Sequence, residues 1–434
     1  MTNSSSLIIN QPNNLTGEIF IPGDKSITHR AIMLGSLSNG RLDIKNSLLS
    51  EDCKRTIDAF IKLGVDITID DTTISIYGKG LNALKPPCSI IDAGNSGTLA
   101  RLISGVLAVQ NFDSSISGDS SLVKRPMKRI IDPLTLAGAN ISSNDNLMPL
   151  SFKQSGKLKV INYTCLIPSA QIKSCLILAS LFLDGTSIIK ETIKTRDHTE
   201  RMLQFLDYPI SIDDKIISIN GNGTIVAKDI RIPSDISSAS FLIVGALIAP
   251  NSNIILKSIG INPLRTGIID VLIKMGADIK MVNHTNIGNE PVADIIVRSS
   301  ILNPVNLSGD IISRLIDELP ILFIACACCE GISVIKDIEE LRHKESDRIK
   351  SMEEGLTNLG IKVESTTNSI KISGGSFKGG IVNSNSDHRV AMSFLIAGLV
   401  SLKPITIIDT DNINTSFPNF VDILRDQNNE IYDL

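Results

Sequence analysis

The chain has 434 residues, 42% of them hydrophobic and 20% charged, with a formal net charge of −4 at pH 7, 4% aromatic residues and no tryptophan. That length exceeds what one core usually serves, so two domains are expected, and the acidic balance with few stacking rings argues against a nucleic-acid binder. The longest apolar runs, such as Phe241 to Ala249 and Ile321 to Cys329, fall far short of a membrane span, and Met-Thr-Asn-Ser-Ser-Ser at the start is no secretory signal, so a cytoplasmic protein without membrane or nucleic-acid partners is expected.

Seven cysteines in apolar surroundings suit a reducing compartment and buried thiols. Cys326, Cys328 and Cys329 read as core, and His29, His198, His284, His343 and His388 show no ligand spacing, so neither a metal nor a cofactor is predicted.

In chain order, the first distinctive stretch is Gly23-Asp24-Lys25-Ser26-Ile27-Thr28-His29-Arg30, which sets two cations and two hydroxyls at the head of the apolar run Ala31 to Leu37. Ile21-Pro22-Gly23 predicts a strand exit and Lys25-Ser26 the first turn of a helix, where free N–H groups and the helix dipole favour an anion. The same unit then recurs: a polar turn, an apolar helix, a short strand, an amphipathic helix, then strands. The second helices are predicted to end at Leu63-Gly64, Ala137-Gly138, Leu206-Asp207, Met275-Gly276, Leu359-Gly360 and Asp426-Gln427, which makes six repeats of roughly 70 to 85 residues. Ile61-Lys62-Leu63-Gly64-Val65-Asp66-Ile67 beside Ile273-Lys274-Met275-Gly276-Ala277-Asp278-Ile279 shows the kinship directly.

The first helices, carrying Ala31 to Leu37, Leu102 to Val109, Leu176 to Leu183, Phe241 to Ala249, Ile321 to Cys329 and Val390 to Val400, are apolar nearly all round and therefore expected inside a domain, with only their N-termini polar. Three such helices about a pseudo-threefold axis would point their N-termini out of one end of each domain. The residues at those entrances are Lys25, Ser26 and Arg30; Asn95-Ser96-Gly97-Thr98 with Arg101; Ser169 and Gln171; Ser234 to Ser240, hydroxylic and without a cation; Asp317-Glu318; and Asp387-His388-Arg389. Bases also stand at the start of most second helices: Lys124-Arg125, Arg196, Arg265, and Arg342 to Arg348. The dipole disfavours cations there, so their placement calls for a bound anion. Ser234, Ser237 and Ser308 read as ordinary caps. Gly97 allows a ligand to approach the backbone without a Cβ. Asp317-Glu318 reads either as a first-turn dipole partner or as a general base among cations.

Gly23 to Arg30, Asn95 to Thr98 with Arg101, Lys124-Arg125-Pro126-Met127, Arg342-His343-Lys344-Glu345-Ser346-Asp347-Arg348 and Asp387-His388-Arg389-Val390-Ala391-Met392 together resemble the signatures of the 5-enolpyruvylshikimate-3-phosphate synthase family, from about Pro22 to Pro418. The resemblance implies an α/β fold of two similar domains, an inside-out α/β barrel in which each domain has three βαβαββ-like repeats around buried parallel helices. The domains expected are residues 22–234 and residues 1–21 with 235–434. It implies a monomer without cofactor or metal that moves the enolpyruvyl group of phosphoenolpyruvate to the 5-hydroxyl of shikimate 3-phosphate.

By position, the resemblance gives Lys25, Ser26, Arg30, Ser169, Gln171, Arg196, Asp317 and Lys344 to shikimate 3-phosphate, and Lys25, Gly97, Arg125, Gln171, Arg348 and Arg389 to phosphoenolpyruvate. Asp317 is the implied base, Glu345 a candidate proton donor, and Lys25 reaches the reacting carbon's substituents. The residue types fit: a carboxylate and an acid move protons, and guanidinium forks suit phosphate and carboxylate. Ala170 stands where many members have a second serine, Glu340 where many have Asn, and Asn414-Thr415-Ser416 where many have a lysine before Phe417-Pro418. A related transferase acting on UDP-N-acetylglucosamine usually carries a cysteine in the loop that here runs from Asp113 to Met127 without one. A non-catalytic anion binder would keep the cations without needing Asp317 or Glu345. Cations on both domains further imply a cleft that is open when empty, and the resemblance implies inhibition by glyphosate.

Overall fold

A helix that is apolar nearly all round has to be surrounded. The computed structural model describes residues 5–10 and 13–433. In it, six such helices are buried along almost their whole length: Lys25–Leu37, Gly97–Leu107, Ala170–Ser180, Ile236–Ile248, Leu319–Ala327 and His388–Gly398. They divide between two compact units with separate hydrophobic cores. Gly23–Ile232 with Asn286–Glu290 make one, called the 23–232 unit below; the remaining described residues make the other, the 233–433 unit. Within the first, Gly97–Leu107 and Ala170–Ser180 approach so closely that a Cβ at Gly105 would lie 2.0 Å from the Cys175 carbonyl oxygen, which only glycine permits.

Six outer helices flank the buried ones: Glu51–Lys62, Lys128–Leu136, His198–Phe205, Gly267–Lys274, Arg348–Asn358 and Phe420–Asp426. All six stop by the same device. A residue in the left-handed region follows the cap, namely Gly64, Gly138, Asp207, Gly276, Gly360 and Asn428. The next N–H then reaches back to a carbonyl in the last turn, as in Val65 to Phe60, Ala139 to Leu134 and Asn429 to Leu424. This is the Schellman arrangement, and it explains why the repeat shows in the sequence at these points.

Among the described residues, six four-stranded sheets complete the repeats, each with one parallel edge pair. A parallel pair needs a crossover, and in four of the six sheets the buried helix supplies it. The strand preceding the first buried helix, Thr16–Ile19, pairs instead with Asn253–Gly260, so the first repeat takes its parallel edge strand from Ile230–Arg231, beside Asn39–Lys45. In the sixth sheet, Ser6–Ile9 lies between Ile405–Ile408 and Ile431–Asp433.

The expectation of uniformly buried thiols needs correction: Cys88 is exposed and Cys328 half-buried, whereas Cys326 and Cys329 are core. Cys88 sits in the loop Leu84 to Ile90, outside any apolar element. No helix among the described residues is long and apolar enough to cross a membrane.

Candidate active site

The entrance to Lys25–Leu37 is fixed by backbone space and a cap. A Cβ at Gly23 would fall 1.9 Å from the Asn46 carbonyl oxygen, so the chain turns there only as glycine, and Asp24 then caps the helix by accepting from Ile27 N at 2.8 Å. Lys25 Nζ donates to Asp52 at 3.1 Å, both half-buried, with Asp52 in the first turn of Glu51–Lys62. Ser26 is half-buried on the same turn. Arg30 points inward and donates to Ser26 O at 2.9 Å, Thr199 Oγ1 at 2.7 Å and Ser174 Oγ at 2.9 Å.

At the second entrance Ser96 caps Gly97–Leu107 by accepting from Leu99 N. Asn95 Oδ1 accepts from Arg125 at 3.0 Å while its amide donates to Asp119 at 2.7 Å, and Asp119 in turn accepts from Ser121 N and Leu122 N. The turn that presents Arg125 is thereby tied to Asn95. Arg101 Nη1 donates to Gln171 Oε1 at 2.6 Å, and Gln171 Nε2 donates to Thr98 Oγ1 at 3.2 Å. Gly97 lies between these groups. A Cβ there would stand 3.2 Å from Arg125 Nη1 and 3.3 Å from Arg101 Nη1. The third entrance presents Ser169, whose hydroxyl makes no capping bond, and Gln171. Arg196 is half-buried just before the outer helix; of its neighbours, Asp197 pairs with Arg201 at 2.9 Å and His198 Nδ1 lies 2.6 Å from Glu290.

Lys25, Ser26, Arg30, Gly97, Arg125, Ser169, Gln171 and Arg196 thus all belong to the 23–232 unit. Asp317, Lys344, Glu345, Arg348 and Arg389 form a contact network in the 233–433 unit. Asp317 lies 3.3 Å from Lys344 Nζ and 3.7 Å from Arg348 Nη1, and its carbonyl accepts from Arg389 at 2.8 Å. Arg348 is buried and donates to Asp387 at 2.7 Å and to Glu345 at 2.5 Å; these carboxylates outweigh burial and hold its pKa above the usual arginine range. The motif Arg342 to Arg348 splits in two. Arg342 turns to Thr366 O, Thr367 O and Asp347, and Asp347 caps Arg348–Asn358, so these residues lock the turn while Lys344, Glu345 and Arg348 join Asp317.

The fourth entrance departs from the sequence reading. Asp235, not Ser234 or Ser237, caps Ile236–Ile248, and a cation is supplied from elsewhere: Arg265 donates to Asp235 at 3.1 Å and to Ser237 at 2.6 Å. Ser237 donates to Glu318, which is buried and 3.8 Å from Arg389. Ser308 is exposed and caps nothing; Asp310 precedes Ile311–Leu315. At Ile236–Ile248 the aspartate takes the cap because a charged oxygen serves a helix N-terminus better than a hydroxyl does, whereas Asp310 makes no side-chain capping bond. Of the pair Asp317-Glu318, Glu318 is the N-cap residue of Leu319–Ala327, makes no side-chain capping bond and sits in the buried network, while Asp317 is half-buried.

A sequence model of EPSP synthase (3-phosphoshikimate 1-carboxyvinyltransferase) matches residues 9–424. The chain belongs to the EPSP synthase family. Two curated relatives, each named 3-phosphoshikimate 1-carboxyvinyltransferase, come from Ruthia magnifica subsp. Calyptogena magnifica, 48% identical over 96% of this chain and 97% of its own, and from Methylococcus capsulatus, 47% identical over 95% and 94%. The solved EPSP synthase of Acinetobacter baumannii superposes with a TM-score of 0.89 at 41% identity, covering 99% of this chain and all of its own. The enolpyruvyl transferase NikO of Streptomyces tendae shares the fold alone, with a TM-score of 0.80 at 16% identity over 100% of this chain and 99% of its own. The two-domain inside-out α/β fold expected from the sequence is the fold of this EPSP synthase family member.

Two positioning groups escaped the sequence reading. Asp387 was noted only as part of its motif, yet it grips Arg348 with both oxygens; an acid at a helix N-cap two residues before Arg389 was the available signal. Asp52, 27 residues from Lys25, gave no local signal at all.

Proposed function

We propose that this chain transfers the enolpyruvyl group of phosphoenolpyruvate to the 5-hydroxyl of shikimate 3-phosphate, releasing phosphate, a step of aromatic amino acid biosynthesis. The observation that carries this reading is the match to the EPSP synthase family over residues 9–424. In this reading Ser26, Ser169, Gln171 and Arg196 hold shikimate 3-phosphate together with Lys25, Lys344 and Arg30, which also braces Ser174 and Thr199. Gly97, Arg125, Gln171, Arg348 and Arg389, together with Lys25, receive the phosphate and carboxylate of phosphoenolpyruvate.

Asp317 removes the hydroxyl proton as that oxygen bonds to the central carbon of phosphoenolpyruvate, and Glu345 delivers a proton to the methylene carbon, which gives a tetrahedral intermediate. Loss of a proton from the resulting methyl group then expels phosphate and restores the double bond. The guanidinium and ammonium groups are in place before charge moves, which is the economical way to stabilise such an intermediate. Phosphate release from phosphoenolpyruvate, followed with and without shikimate 3-phosphate, tests the reading: release must depend on the second substrate and fall about 10²- to 10⁴-fold in Asp317→Asn. Release that ignores shikimate 3-phosphate would overturn it. The chain is read as a cytoplasmic monomer, to be checked by light scattering and by fractionation.

A further inference from the structure

Lys173 is the one charged residue on the buried helix Ala170–Ser180, two positions after Gln171, and only 1% of its side chain is exposed. Burying an ammonium is costly unless it is paired and fully hydrogen-bonded. Here its Nζ donates to Glu200 at 2.8 Å, to Glu191 at 3.0 Å and to the backbone carbonyl of Thr195 at 3.0 Å. Glu191 also holds Thr195, accepting from its N–H at 3.0 Å and its hydroxyl at 2.5 Å. The residue before Arg196 is therefore gripped at its carbonyl, its amide and its side chain by one buried ion cluster. Burial would lower the Lys173 pKa, but Glu200 and Glu191 outweigh it and keep the amine charged. The neighbouring Ser174 accepts from Arg30 and contacts Thr199, so one turn of this helix reaches both Arg30 and the loop that bears Arg196.

We propose that Lys173 is a positioning residue for shikimate 3-phosphate recognition, setting Arg196 through the Thr195 carbonyl. The inference rests on the reading of Arg196 as a ligand of that substrate. The third donor of the ammonium is satisfied not by another helix residue but by the loop, at the carbonyl of the residue adjoining the arginine, which ties the backbone beside Arg196 to the helix that carries Gln171.

Lys173→Met alone leaves Glu191 and Glu200 facing each other and endangers folding, so the informative variant is the double Lys173→Met/Glu200→Gln. It keeps the cluster's net charge and the bonds from Thr195 to Glu191, and it removes the bond to the Thr195 carbonyl. Expected is a folded enzyme whose KM for shikimate 3-phosphate rises about tenfold, the size of one charge-assisted hydrogen bond, while KM for phosphoenolpyruvate stays put. Arg196→Gln serves as control and should raise the same KM, and combining it with the double should add little further loss. The proposal is overturned if the folded double has unchanged KM values, if both KM values rise together, or if the double does not fold, which would make Lys173 a residue of stability. If Arg196→Gln itself leaves KM for shikimate 3-phosphate unmoved, the Arg196 assignment falls, and this inference with it; if Arg196→Gln responds and the double does not, only the role of Lys173 is lost.

Discussion

Within the 23–232 unit, Arg30, Arg101 and Arg125 donate to hydroxyls, a carbonyl and the amides Gln171 and Asn95. Within the 233–433 unit the corresponding arginines meet carboxylates: Arg265 with Asp235, Arg348 with Asp387 and Glu345, Arg389 with Glu318. The named bonds at corresponding places of the repeat thus differ in kind. A neutral partner orients a guanidinium through hydrogen-bond geometry, whereas a buried carboxylate also holds it by charge.

The contrast is broken most easily at Arg348. Asp387→Asn leaves a buried guanidinium short of its main charged partner and should cost about 3–5 kcal/mol of stability, while Asn95→Ala, which removes a neutral partner from Arg125, should cost about 1 kcal/mol. Urea unfolding of both variants measures the difference, and equal losses would show that the two kinds of partner are equivalent here.

The cationic character of the 23–232 entrance should also be visible in acid. His29 is buried one turn beyond Lys25, and burial first, then Lys25 and Arg30, push its pKa from 6.5 down to about 3. The unfolded chain accepts a proton near pH 6.5 and the folded one does not, so stability is lost as pH falls from 6.5 toward 3, amounting to about 3 kcal/mol at pH 4. His29→Gln removes that slope. Parallel acid limbs for the native protein and the variant would mean that His29 titrates normally.

A smaller effect is expected at Arg125. Arg125→Lys keeps the charge but not the fork, so KM for phosphoenolpyruvate should rise about tenfold with folding intact. An unchanged KM would reduce Arg125 to a tether for Asn95. The smallest change in substrate binding is expected at Gly97. A methyl there presses on Arg125 and Arg101 from 3.2 and 3.3 Å, and those side chains need to yield only slightly. The substrate should tolerate the shift, while the longer glyphosate should lose about tenfold or more in affinity, as one methyl group in a tight pocket can cause. Inhibition measured against phosphoenolpyruvate in Gly97→Ala and the native protein decides it, and equal losses for both ligands would take residue 97 out of the pocket.

Much of this architecture was legible because it is local. The six helix ends announce themselves through a left-handed residue after an amphipathic helix, and the buried helices through the lack of any polar face. The caps were read less well: Ser237 looked like one, but Asp235 beside it wins the N-terminus and leaves Ser237 to bridge Arg265 and Glu318. What stayed hidden depends on contacts far apart in sequence. Asp52 meets Lys25 across 27 residues and Thr199 meets Arg30 across 169, and no pattern within a single helix encodes either. Lys173 is the intermediate case, visible as a lone charge in an apolar run, with its purpose fixed only by Thr195 and Glu200.

Strand Ser6–Ile9 finds both its partners more than 390 residues later, with Leu7 opposite Ile407 on one side and Asp433 on the other. On a ribosome adding about 5–20 residues per second, that strand waits tens of seconds for its sheet. Gly23–Ile232 meets no such delay, since the three sheets of its unit are built entirely from its own residues. Synthesis should therefore yield an early-folding segment flanked by an open-edged strand, the kind of edge that invites pairing with another chain. The vulnerable interval in the life of this protein lies between the emergence of residue 232 and the arrival of residues 405–433, when one unit can fold and the other still lacks the strands that close it.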